Sequence, residues 1–261
     1  MTATFGIPDE WQDFERRHQL LLDKVLPPLM DACNQMVSRR MESKGLHDIV
    51  VFLLGRHVPE DFTEIMLLCA NGYGTAAVRL LRPMYERVVT MMYLIGNPEK
   101  AQDFVDWLLV EKRKTLNLLR DEGGDPAKYF TPEELAQIEA DYDRVKARFP
   151  KRQNSWSRLD LKSMARKVGI GNMYVSLCHW PTFQVHTTLI GMMARVDATA
   201  GSVGFGVGAQ REDADRALLG AHTCLLLALD SLSRHFGLPV EKGEQLVPMY
   251  KEYWDRDTLA S

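Results

Sequence analysis

The chain has 261 residues, 46% of them hydrophobic and 26% charged, so it can bury a sizeable core and is not a disordered segment. Its formal net charge of −3 exerts no general pull toward nucleic acid or an anionic membrane. Cys33, Cys69, Cys178 and Cys224 are far apart in apolar helical surroundings and form no C-x-x-C pair, so they read as reduced core thiols rather than as a disulfide or zinc framework.

The elements follow a helical period nearly throughout. A first helical region covers 9–43 and is broken or kinked at Pro27-Pro28. A short helix over 46–55 follows, then one that starts at Pro59-Glu60-Asp61, with proline and acids in its first turn. Asn71-Gly72 and Gly74 separate it from a long apolar helix over 74–95. Asn97-Pro98-Glu99 opens the next, which runs to about Asp121 and stops at Gly123-Gly124. Thr131-Pro132-Glu133-Glu134 reads as a capped start. Helices over 160–168, 171–180 and 182–196 precede a glycine-rich loop at 198–211, a helix over 212–236 and a last one over 242–256. The expectation is one all-α domain over 1–261, a multi-helix bundle with a polar interhelical pocket, in which 121–158 forms a peripheral charged hairpin. No basic leader precedes an apolar run, and the apolar helix at 74–95 carries three arginines and a glutamate. The chain is therefore expected to be cytoplasmic and to have no membrane partner.

That helix is the most informative stretch. Arg79, Arg82, Glu86, Thr90 and Tyr93 follow i, i+3, i+7, i+11, i+14 and fall within a stripe of roughly 80°. The other faces are apolar, so the helix is expected to be enclosed by protein, with its charges paired or in use. The stripe is then an internal ion-pair lattice or the wall of a pocket whose arginines grip an anion while Glu86 orients them or acts as a base. Tyr85 lies off the stripe and reads as core.

Ser176, His179 and His186 form a second constellation. Two histidines seven residues apart, with Pro181 between them, can converge as an acid/base pair or as ligands. Their spacing is not H-E-x-x-H, so no metal is assigned. His222 sits in an apolar run and reads more readily as a core histidine than as a third partner.

Charge is segregated further on. Residues 121–143 hold eight acids and one lysine, whereas 144–167 hold nine basic residues and one aspartate. Lys151, Arg152 and Trp156 make the basic half a candidate surface for single-stranded nucleic acid; the alternative is a hairpin whose halves neutralise each other. Gly204-x-Gly206-x-x-Ala209 mimics a dinucleotide fingerprint without the strand that such a site requires. Arg40-x6-His47 matches a loose helical-ribonuclease spacing that arises often by chance.

Arg82 to Glu86 (R-x-x-Y-E), Asn97 to Ala101 (N-P-E-x-A) and the segment Tyr174 to His179 together resemble a mostly bacterial, all-helical family of unknown function. The resemblance covers roughly 45–235, although Ser176 stands three residues before His179 where the family spacing is four. It implies an all-α fold and singles out Glu86 and His179, but it implies no activity. The resulting expectation is a pocket for an anionic small molecule or nucleic acid, with Glu86, His179 and His186 as catalytic groups if it hydrolyses. Arg79, Arg82, Tyr93 and Ser176 would bind the ligand. The alternative is a non-catalytic interaction module, with self-association into a homo-oligomer open. The sequence names no cofactor and does not decide whether catalysis occurs.

Overall fold

The computed structural model describes residues 6–38, 45–150, 155–186, 188–193, 196–199, 202–206, 208–237 and 243–255. The chain begins with α1 (Glu10–Arg17), a π-helical turn (Leu21–Val25) and α2 (Leu26–Ser38), then α3 (Leu46–Ala70) and α4 (Gly74–Gly96). There follow α5 (Ala101–Asp121), α6 (Pro132–Val145), α7 (Leu161–Lys167) and a second π turn (Val175–His179) that runs into α8 (Trp180–Val185). After α9 (Leu189–Met193), β1 (Val196–Thr199) pairs antiparallel with β2 (Ser202–Phe205). Then come α10 (Arg211–Phe236) and α11 (Gly243–Asp255). The architecture is all-α, and this short ribbon is the single sheet among the described residues. None of the described helices is long and apolar enough to cross a membrane.

The centre is a three-helix packing of α3, α4 and α10. Phe62, Ile65 and Cys69 of α3, Leu81, Met84, Tyr85 and Val88 of α4, and Leu218, Ala221 and Leu225 of α10 are fully buried. Their i, i+3, i+4, i+7 spacing is what turns each helix inward. Burying one such large apolar side chain stabilises the fold by about 1.5–3 kcal/mol. All four cysteines are free and buried, as predicted, and burial pushes the Cys33 and Cys224 thiols up to about 12.

Three boundaries differ from those predicted. The helices expected at 46–55 and from Pro59 are one, α3, with Pro59 in its interior. Proline there loses a ladder bond and crowds the carbonyl four residues back. Packing against α4 and α10 on neighbouring faces outweighs that cost, and Gly55 helps: a Cβ there would lie 2.4 Å from Leu232 Cδ1. Pro181 produces no break, because it occupies the first turn of α8, where no N–H is needed, and His179 and Trp180 keep helical dihedrals. The helix expected over 182–196 stops at Val185, since His186 is extended (φ −90, ψ 151), and the predicted glycine-rich loop contains β2 instead.

The starts of α4 and α10 touch through backbone. A Cβ on Gly74 would stand 2.1 Å from the Gln210 carbonyl, and the Gln210 N–H donates to the Gly72 carbonyl at 3.2 Å. The π turn at Val175–His179, α7 and α8 all lie along α4. Beyond them, α5 and α6 pack together with Val110, Val145 and Phe149 buried in a small core of their own. Thr131 and Glu134 form the predicted capping box of α6.

Candidate functional site

The stripe on α4 runs from solvent into the core. Arg79 is exposed, the Arg82 and Glu86 side chains are 35% and 43% exposed, and Thr90 and Tyr93 are buried. The expectation of an enclosed helix with buried charges is thus corrected: the charged half faces outward, and cover begins only at Thr90. Arg82 Nε donates to Glu86 Oε1 at 3.1 Å, and Arg82 Nη1 donates to Thr182 Oγ1 on α8 at 2.8 Å. Partial burial lowers the guanidinium's proton affinity, but the Glu86 pair more than offsets this and holds it above its usual value. Tyr85 is core, as read, and donates to the Ile170 carbonyl at 2.9 Å.

Beside this pair lies an open cleft of about 800 Å³, lined by Glu86 and Thr90 of α4 and by Trp156, Arg158, Asp160 and Met164. Asp160 caps α7 by accepting from the Ser163 N–H at 2.7 Å. Arg158 is held at φ 61, the left-handed region that a side-chain-bearing residue seldom adopts.

The histidine segment packs against α4, but its polar groups do not enter this cleft. His179 and His186 are both exposed and are absent from the cleft lining. The His179 ring lies between Tyr174 and Phe183, with centroids 6.4 and 5.1 Å away, and Ser176 Oγ donates to the Met173 carbonyl. Tyr93 meets Trp156 edge to face at 5.8 Å. His222 is fully buried on α10 beside Phe62, Tyr250 and Trp254, so it belongs to the core.

The basic stretch also reads differently in three dimensions. Lys151 and Arg152 lie outside the described residues. Trp156 is 8% exposed, with its ring committed to Tyr93 and Phe104, so it offers no free face for a base. Arg148 pairs with Asp103 and Asp106 of α5, Arg144 with Asp141, and Lys146 with Asp143. Glu139 of the acidic half pairs with Arg113 and Arg120 of α5. The basic half is thus neutralised from two sides, Arg144 and Lys146 by the acidic half and Arg148 by α5.

Two clusters were missed because their members are far apart in sequence. In the first, Arg17 of α1 binds Glu10, Asp13 and Asp215, while His18 bridges Asp215 (2.9 Å) and Tyr253 (2.5 Å). Arg211 adds contacts to Glu10 and Asp13, so the network ties α1 and α11 to α10. In the second, His47 and Asp48 at the start of α3 meet His235 at the end of α10; Arg40 of the matched ribonuclease spacing lies outside the described residues.

Residues 47–203 match the profile of a family described as a family of unknown function (DUF5677). No curated protein and no solved structure matches the chain.

Proposed function

The chain belongs to the DUF5677 family, and from its own geometry we propose that it binds a small, nucleotide-sized anionic ligand in the cleft beside α4. The observation that carries this reading is the placement of Glu86, already held by Arg82, on the wall of an 800 Å³ cleft together with Arg158. The Arg158 guanidinium can donate its forked N–H groups to a phosphate or carboxylate, while Glu86 and Asp160 accept from hydroxyl or amino donors on the same ligand. Mixed polarity of this kind suits a phosphorylated metabolite better than a bare anion. A small ligand is favoured over a polynucleotide because the Trp156 ring is covered and Arg144, Lys146 and Arg148 are already paired. The reading is of binding, since neither His179 nor His186 stands in the cleft as an acid or base.

Calorimetric titration with a panel of nucleoside monophosphates and inorganic phosphate tests it. Binding that weakens tenfold or more in Arg158→Ala and Glu86→Gln supports the reading; no binding by any member, or binding unchanged in both variants, overturns it.

A second reading, an interaction module that self-associates, is favoured by Val185, Leu189, Ile190, Met192 and Met193, all about half exposed or more on α8 and α9. Light scattering on the wild type and on Leu189→Lys/Ile190→Lys decides it: a dimer that the double variant abolishes supports it, and a wild-type monomer removes it.

A further inference from the structure

We propose that His47, Asp48 and His235 form a binding site for one divalent transition-metal ion of the zinc class. The side chains come from the first turn of α3 and the last turn of α10, and one ligand atom from each lies within 4.8 Å of the others. Asp48 Oδ1 is 3.4 Å from His47 Nδ1 and 3.1 Å from His235 Nε2. Around an ion with bonds near 2.0–2.2 Å, adjacent tetrahedral donors stand roughly 3.4 Å apart.

The contact that decides between an ion pair and a metal site lies on the far side of His47. Its Nε2 is 2.9 Å from the Leu94 carbonyl, and a carbonyl can only accept, so Nε2 carries a proton. In the neutral ring, Nδ1 is then a bare lone pair 3.4 Å from a carboxylate oxygen. Two acceptors at that separation repel unless a cation lies between them. A backbone carbonyl holding one ring nitrogen while the other faces the ion is how histidine ligands are commonly oriented.

The surroundings suit a cation. The carboxyl end of α10 contributes the negative end of its dipole, which offsets the positive end of α3. The three side chains are each less than one-fifth exposed, and the two rings meet edge to face at 5.2 Å, which fixes their poses. His235 also lines a cavity of about 580 Å³ with Lys167, Asp230 and Arg234, which supplies an entry path. Two histidines and one carboxylate leave at least one coordination position for solvent or an anion. The buried, protonated cysteines offer no competing thiolate site.

The test is titration of the chelator-treated full chain with Co2+ and Zn2+. One equivalent of Co2+ should develop visible d–d absorption, and Zn2+ at a hundredfold excess over its Kd should raise the Tm by about 5–10 °C. Asp48→Asn and His235→Gln should each weaken binding tenfold or more, whereas His57→Gln, at an exposed histidine, should leave it unchanged. In the wild type alone, Zn2+ should shift the imidazole 15N resonance of His47 Nδ1 while its Nε2–H is retained, a readout that does not depend on any variant folding. Absence of both the Co2+ absorption and the 15N shift, or binding undiminished in both ligand variants, overturns the site.

Discussion

The His222 ring lies 4.9 Å from that of Phe62, and neither of its nitrogens has a hydrogen-bond partner among the described residues. Burial without a partner opposes the charged form, and the nearby His18 adds to this, so the pKa falls to about 3 from the ordinary 6.5. The folded state therefore resists a proton that the unfolded chain accepts below pH 6.5. The stability this group contributes is complete above pH 6.5 and is lost as pH falls from there toward 3, at up to ~1.4 kcal/mol per pH unit. Urea unfolding followed from pH 7.5 to 4 should show this loss, and His222→Leu should have a shallower slope than the wild type. Equal slopes would refute the assignment.

Arg17 is expected to be the most costly single charge to remove. It satisfies Glu10 and Asp215, which are 4% and 9% exposed, as well as Asp13. Arg17→Met should destabilise by ~2–3 kcal/mol, because the buried carboxylates keep only Arg211 and His18 as partners. Adding Glu10→Gln to that variant should recover part of the loss in urea titrations. A loss below ~1 kcal/mol would place the network in the class of solvated surface pairs.

Two glycines on α4 should respond oppositely to alanine. At Gly74 the new methyl would meet the Gln210 carbonyl at 2.1 Å and force the starts of α4 and α10 apart. At Gly96 no other described residue lies within 4 Å of the new methyl. Gly74→Ala should cost ~2 kcal/mol or more by overpacking, whereas Gly96→Ala should be neutral or stabilise by up to ~1 kcal/mol. Thermal melts of the pair check the contrast.

The capping box at Thr131 predicts a local effect. Thr131→Ala removes the side-chain acceptor for the Glu134 N–H and should cost ~1 kcal/mol. Hydrogen exchange should speed up in the first turn of α6 and leave α3, α4 and α10 unchanged. Uniform acceleration across the chain would show that α6 does not open independently.

The sequence by itself determined the helices, the reduced and buried cysteines, the α6 cap and the polar stripe of α4, because each is written in local periodicity or in a fixed short spacing. It also indicated that Arg82 and Glu86 would pair, since four residues on a helix bring them together. Periodicity cannot tell which stripe a helix turns to solvent: Arg79, Arg82 and Glu86 face out because α7, α8 and the 155–164 segment cover α4 unevenly, and only the packing sets that cover. The same holds for Pro59, whose local rule was overridden by contacts with α4 and α10. Asp48 and His235 are 187 residues apart, and His18 and Asp215 are 197 apart. No spacing in the chain relates such residues, and the tertiary structure brings them together because the central packing of α3, α4 and α10 fixes which helix ends meet.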